Sequence, residues 1–97
     1  MPSYISLMNW TDQGVKDFKD SLERYEAAEQ AAANFAVKFH DIYWTVGAYD
    51  LIAIVEAPDE ETVTAFLLAI GAQGNLRTTT LRAFDANEMK GIIAKAS

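Results

Sequence analysis

The sequence predicts an α+β fold: a four-stranded antiparallel sheet in the order βαββαβ, helices on one side of it, and a short C-terminal helix. Three observations predict it. Runs with strand-like composition occupy Ser3–Asn9, Phe39–Val46, Tyr49–Ala57 and Leu76–Phe84. Stretches with helical spacing of apolar residues lie between the first and second runs and between the third and fourth. The 97 residues, 51% hydrophobic and 23% charged, suit one globular domain spanning 1–97.

The first strand places Tyr4, Ile5, Leu7 and Met8 around Ser6 and reads as at least half buried. Thr11 then offers an N-cap oxygen, and Asp12 adds negative charge to the first helical turn. Val15, Phe18, Leu22 and Tyr25 follow at three- and four-residue steps, the expected buried face of one long helix. Lys16, Asp17, Lys19, Asp20, Glu23, Arg24 and Glu26 form its expected solvent side. Ala27–Ala33 prolongs that helix with strong formers, and Asn34 suits its end because asparagine tolerates the left-handed conformation.

The second and third strands form a hairpin around Gly47-Ala48, a pair suited to a tight type II′ turn. Pro58 stops the third strand, and Asp59 caps the next helix, with Glu60 and Glu61 in its first turn. Val63, Phe66, Leu67 and Ile70 form that helix's buried side, and Gly71 or Gly74 ends it. The fourth strand is threonine-rich. Asp85 and Glu88 then give a capping-box start to the last helix, whose apolar side is Met89, Ile92 and Ile93. This order is the split βαβ, or ferredoxin-like, plan. Its two main helices cover one sheet face and leave the other bare.

Strand alternation assigns the faces. Leu51, Ala53 and Val55 are expected beneath the helices; Asp50, Ile52, Ile54 and Glu56 then point the other way. With Gly47-Ala48 at the turn, Thr45 lies opposite Asp50 and Tyr43 opposite Ile52. Thr79, Leu81 and Ala83 read as core-facing, which sends Thr78, Thr80 and Arg82 to the open face; Tyr4, Ser6 and Met8 are expected there too. So apolar a face calls for cover, and the expected cover is a second copy of the chain, giving a homodimer or higher homo-oligomer.

Three blocks resemble the GYD-domain family: Tyr43-Trp44-Thr45-Val46-Gly47-Ala48-Tyr49-Asp50, Glu56-Ala57-Pro58-Asp59, and Gly74 through Phe84. Thr11-Asp12-Gln13-Gly14 fits the same family. The resemblance implies a ferredoxin-like, dimeric α/β-barrel domain and supplies no reaction. It departs at Ala32, Ala33 and Asn34, where the family tends to carry a glycine pair.

Composition narrows the function. A net charge of −6 argues against nucleic acid or an anionic membrane as partner. With no cysteine there is no disulfide, thiolate metal site or cysteine nucleophile. The longest apolar runs, Leu51–Val55 and Ala65–Ala72, are far too short to span a bilayer. No secretory signal is visible at the N-terminus, so the expected location is the cytoplasm. Gly71-Ala72-Gln73-Gly74 lacks the lysine and context of a phosphate loop, and no spacing of His, Asp and Glu suits zinc or haem. No cofactor and no metal are expected.

What chemistry remains falls on a few side chains. Asp50 reads as a general base or a ligand acceptor, or more plainly as a carboxylate supporting its turn. His40, the only histidine, reads as a proton shuttle or as a surface residue. Tyr43, Trp44 and Tyr49 offer aromatic surface for a ligand, or packing for core and interface. Arg82 reads as an anion clamp or as the neutraliser of a nearby carboxylate. The leading expectation is a homo-oligomeric binding or regulatory module, with Tyr43, Trp44, Tyr49, Asp50 and Arg82 around a small-molecule cavity. Its rival, by fold analogy, is a cofactor-independent oxygenase or isomerase acting on a small aromatic or lactone. There, Asp50 or His40 would take the proton, and Arg82 or Tyr43 would stabilise the anion. A purely structural assembly unit is the third expectation.

Overall fold

The computed structural model describes residues 1–97. Strands β1 (Ser3–Trp10), β2 (Lys38–Trp44), β3 (Leu51–Glu56) and β4 (Leu76–Ala83) form one antiparallel sheet in the order β2-β3-β1-β4. Helices α1 (Asp12–Lys16) and α2 (Ser21–Ala32) lie between β1 and β2, α3 (Glu60–Gly71) joins β3 to β4, and α4 (Ala86–Ala96) follows β4. The expected α+β, ferredoxin-like plan is therefore present. The sheet is open, not closed into a barrel.

The core lies between the sheet and the helices. Leu51, Ala53 and Val55 face it as expected, beside Val63 and Phe66 of α3. Two assignments are reversed. Tyr4, Ser6 and Met8 are buried on the helix side, and Thr78, Thr80 and Arg82 share that side through the register Met8↔Thr78, Ser6↔Thr80 and Tyr4↔Arg82. Leu81 instead stands on the open face, half exposed. The cause is visible in β1, where Ser6 looks like an outward residue. Its hydroxyl is satisfied by Thr80 Oγ1 at 2.8 Å, so Ser6 is buried at little cost.

The expected single helix from Thr11 to Ala33 is broken. Thr11 caps α1 by accepting from the Gly14 N–H at 3.0 Å, but α1 ends at Lys16. A 3-10 turn at Phe18–Asp20 then leads into α2. Arg24 Nη2 holds the corner by donating to the carbonyls of Gly14 and Asp17, at 3.0 and 2.6 Å. The break turns Val15, Phe18 and Leu22 outward rather than into the core. At the other end, Ala36 rather than Asn34 takes the left-handed conformation, with φ of 56°.

The hairpin keeps its expected register, Tyr43↔Ile52 and Trp44↔Leu51, but its loop is wider than a two-residue turn. Thr45 N–H donates to the Asp50 carbonyl at 2.8 Å, and Thr45 Oγ1 donates to the Tyr49 carbonyl at 2.6 Å. Strand β2 carries a bulge between Phe39 and Asp41. The capping box at Asp85 and Glu88 forms as expected, yet Met89 and Ile93 of α4 remain exposed.

Candidate functional site

The bare face of the sheet is the largest candidate surface. The register aligns Leu81, Ile5, Ile54 and Asp41 in one row and Thr79, Leu7, Ile52 and Tyr43 in the next. Tyr43 and Leu81, on the two edge strands, are 57% and 49% exposed. Ile5, Leu7, Ile52 and Ile54 between them are only partly covered. At one end His40 Nε2 donates a hydrogen bond to Glu56 Oε1 at 2.8 Å. The hydrogen bond from His40 holds the Glu56 carboxyl below its ordinary pKa.

The residues singled out in the sequence do not gather at one place. Asp50 lies at the hairpin end, where its Oδ2 accepts the Trp10 N–H at 2.9 Å and its own N–H donates to the Met8 carbonyl. Tyr49 is in the same loop, half-buried. Trp44 is on the helix side of the sheet, opposite in direction to Tyr43. Its indole N–H donates to Ser21 Oγ at 2.8 Å, and its ring meets Tyr25 edge-on.

Arg82 is neither on the open face nor near Asp50. It pairs across the ladder with Tyr4, while Asp50 is tied to Met8 and Trp10, roughly 13–20 Å further along β1. Its guanidinium stacks on Phe84 at 4.3 Å and donates to the carbonyls of Ser3 and Ala83. Glu60 and Glu88 lie within 3.9 and 3.5 Å. Arg82 thus neutralises carboxylates of its own chain, and the ring of Tyr4 lies beneath its guanidinium at 5.7 Å, with a buried hydroxyl that has no hydrogen-bond partner. Burial, with the Glu60 carboxylate adding to it, raises the Tyr4 hydroxyl above the ordinary tyrosine pKa.

The reading of spacing alone placed Arg24 in solvent, and this is the residue it missed. Arg24 is half-buried and lines a cavity bounded by α2, the sheet and the end of α3. Helical periodicity gave no sign of this, because the corner at Asp17 resets the phase of the helix. No cluster of three or more His, Asp or Glu side chains converges as a metal would need. No helix is long and apolar enough to cross a membrane.

The GYD domain pattern matches residues 4–93. The chain belongs to the GYD-domain family. A family relative from Thermus thermophilus, named glutamine synthetase and cystathionine beta-lyase binding protein, is 31% identical over 90 residues, covering 92% of this chain and 95% of its own. Among solved structures, TTHA0845 from Thermus thermophilus is similar with a TM-score of 0.57 and 26% identity, over 89% of this chain and 96% of that one. MtbAldR shares the fold with a TM-score of 0.68 at 16% identity, over 87% of this chain. The GYD chain spans about half of MtbAldR, 52% of its length.

Proposed function

We propose that this GYD-domain protein is a homo-oligomeric binding module without catalytic machinery of its own, in which copies shield one another's open sheet face. One observation carries the reading. In the central strand β1 the aliphatic residues Ile5 and Leu7 point away from the helices, while Tyr4, Ser6 and Met8 point toward them. A strand exposed to water on one side alternates the other way, with its polar residues outward. Ile52, Ile54 and Leu81 extend this apolar outward face to both neighbouring strands. Such a surface is stable when another protein surface covers it, and a second copy offers a matching one.

The relative named as a binding protein for two metabolic enzymes supports a scaffold whose partners are proteins. We extend that reading to this chain: the assembled module docks on glutamine synthetase or cystathionine beta-lyase. The ligand role expected of Tyr43, Trp44, Tyr49, Asp50 and Arg82 finds less support, because those side chains are divided between two faces and two ends of the sheet. Tyr43 belongs instead to the covered interface.

Light scattering on a sizing column tests the assembly, with each purified enzyme added in a second arm. Wild type should run as a dimer or a multiple of it and shift to the mass of a complex with one of the enzymes. Ile54→Lys should stay folded and run as a monomer. A monomeric wild type at micromolar concentration would overturn the self-association, and no shift with either enzyme would overturn the partner assignment.

A further inference from the structure

We infer that the free edge of β4 binds an extended peptide segment of another protein, one that alternates apolar and acidic residues and adds to the sheet as a fifth strand. The site is separate from the bare face. It rests on the proposed function only in taking the partner to be a protein.

The ladder fixes which backbone groups are available. Thr11 N–H donates to the Asn75 carbonyl at 3.1 Å, and on the other side of β1 Ala57 N–H donates to the Pro2 carbonyl at 3.1 Å. Antiparallel pairs alternate, so odd-numbered residues of β1 bond to β4 and even-numbered ones to β3. Arg77, Thr79 and Leu81 therefore spend their N–H and C=O groups on Asn9, Leu7 and Ile5. Those of Thr78 and Thr80 point away from the sheet, where no strand follows. A row of such groups is what an added strand pairs with.

An open groove runs beside that edge. Its far wall is α3, which presents Thr64, Leu67, Leu68, Gly71 and Ala72, one stripe at steps of three and four. Leu68 is exposed, and a Cβ added at Gly71 would meet nothing within 4 Å. Thr78 and Thr80 lie on the helix side, so a residue paired with either turns its own side chain toward this groove. Apolar side chains at those two places cover Leu67 and Leu68.

Charge selects the residues between them. Arg77 is exposed, makes no ion pair, and points to the opposite side from Thr78. The protein has fourteen acidic side chains, and none lines the groove. A carboxylate opposite Arg77 forms a cross-strand pair with it, whereas a lysine there is repelled. The net charge of −6 acts the other way, but salt screens it beyond about 8 Å. A second copy of β4 fits less well, since it holds no acidic residue and its helix-side positions are mainly threonine.

The test is an NMR titration of the full chain with acetyl-Glu-Val-Glu-Val-Glu-Val-amide. Saturable shifts should appear along β4 and in Leu67, Leu68 and Ala72. The Thr78 and Thr80 amides should exchange with solvent quickly in the free protein and at least about tenfold more slowly at saturation, while Thr79 changes little. Methylating the valine nitrogens of the peptide should abolish binding, and methylating the glutamate nitrogens should spare it. Lysine in place of glutamate should weaken binding about threefold or more, and Arg77→Glu should reverse that order. Gly71→Phe should keep the fold and weaken binding by blocking the groove. Ile54→Lys should bind the peptide like wild type, which separates this test from that of the sheet-face assembly. The proposal falls if no saturable shift occurs, if the valine-methylated or lysine peptide binds as well, or if the shifts map to Ile5, Leu7, Ile52 and Ile54. It falls equally if the Thr78 and Thr80 amides are already slow in the free protein, because another copy then holds the edge.

Discussion

His40 and Glu56 meet because β2 carries one residue more than its partner requires. The bulge between Phe39 and Asp41 shifts the register there, and His40 reaches Glu56 at 2.8 Å. Strict alternation gives neither the bulge nor the pair. The Glu56 carboxyl is held below its unfolded value, so the interaction contributes stability above the ordinary carboxyl range and loses it as pH falls through the folded pKa. The stability gap between wild type and His40→Ala should therefore be present above pH 4.5 and close as the solution is acidified below it. In the variant, the Glu56 titration followed by carboxyl carbon shifts should move upward toward 4.5. An unmoved titration would show that the contact does not persist in solution. Asp50 illustrates a different case: its place beside the hairpin loop suggests a carboxylate serving its own turn, yet its Oδ2 accepts from the Trp10 N–H at the end of β1, a partner that local sequence does not reveal.

At the scale of elements, spacing identified every strand and the caps at Thr11, Asp59 and Asp85. It failed where tertiary contact overrides local preference. The segment from Asp12 to Ala33 is rich in helix formers, yet the chain turns at Asp17 because α1 is pinned to the loop before β4. Thr11 N–H donates to the Asn75 carbonyl at 3.1 Å, and Gly14 packs so closely that a Cβ there would lie 2.0 Å from the same oxygen. Gly14→Ala should consequently lower the thermal midpoint sharply, by an amount typical of core overpacking, about 1–3 kcal/mol or more. Gly91→Ala on the exposed face of α4, where an added Cβ meets nothing, should be neutral or stabilising in the same denaturation experiment. Equal effects at both positions would remove the close-approach explanation. The faces of β1 and β4 were misread for a related reason: Ile5 and Leu7 are as hydrophobic as the residues behind them, so alternation alone has no polar side to choose.

The whole molecule is thin, 50 × 31 × 18 Å, with α4 left largely uncovered and its Met89 and Ile93 exposed. A 97-residue chain buries roughly 60–65% of the surface it exposes when unfolded, which makes such a layer marginal in isolation. If copies cover the open face, stability is tied to concentration by mass action. The thermal midpoint of wild type should rise measurably over a hundredfold increase in protein concentration, while that of Ile54→Lys should stay constant. A midpoint independent of concentration in both would argue that the layer stands alone. The architecture was legible because order and period suffice to define it. The cavity beside Arg24 was not, because it is a space between elements, created by the corner at Asp17 and the packing of α2 against the sheet.

The bulge in β2 has an effect that reaches past the His40–Glu56 contact it creates. A four-stranded layer has two free margins, here β2 and β4, and each offers unpaired backbone groups to any passing strand. The extra residue near His40 kinks the first margin and spoils its regular spacing, with Lys38 beside it as a further deterrent. The second margin, Leu76–Ala83, runs eight residues without interruption. Sideways growth of the layer is thereby steered to one margin, the threonine-rich one.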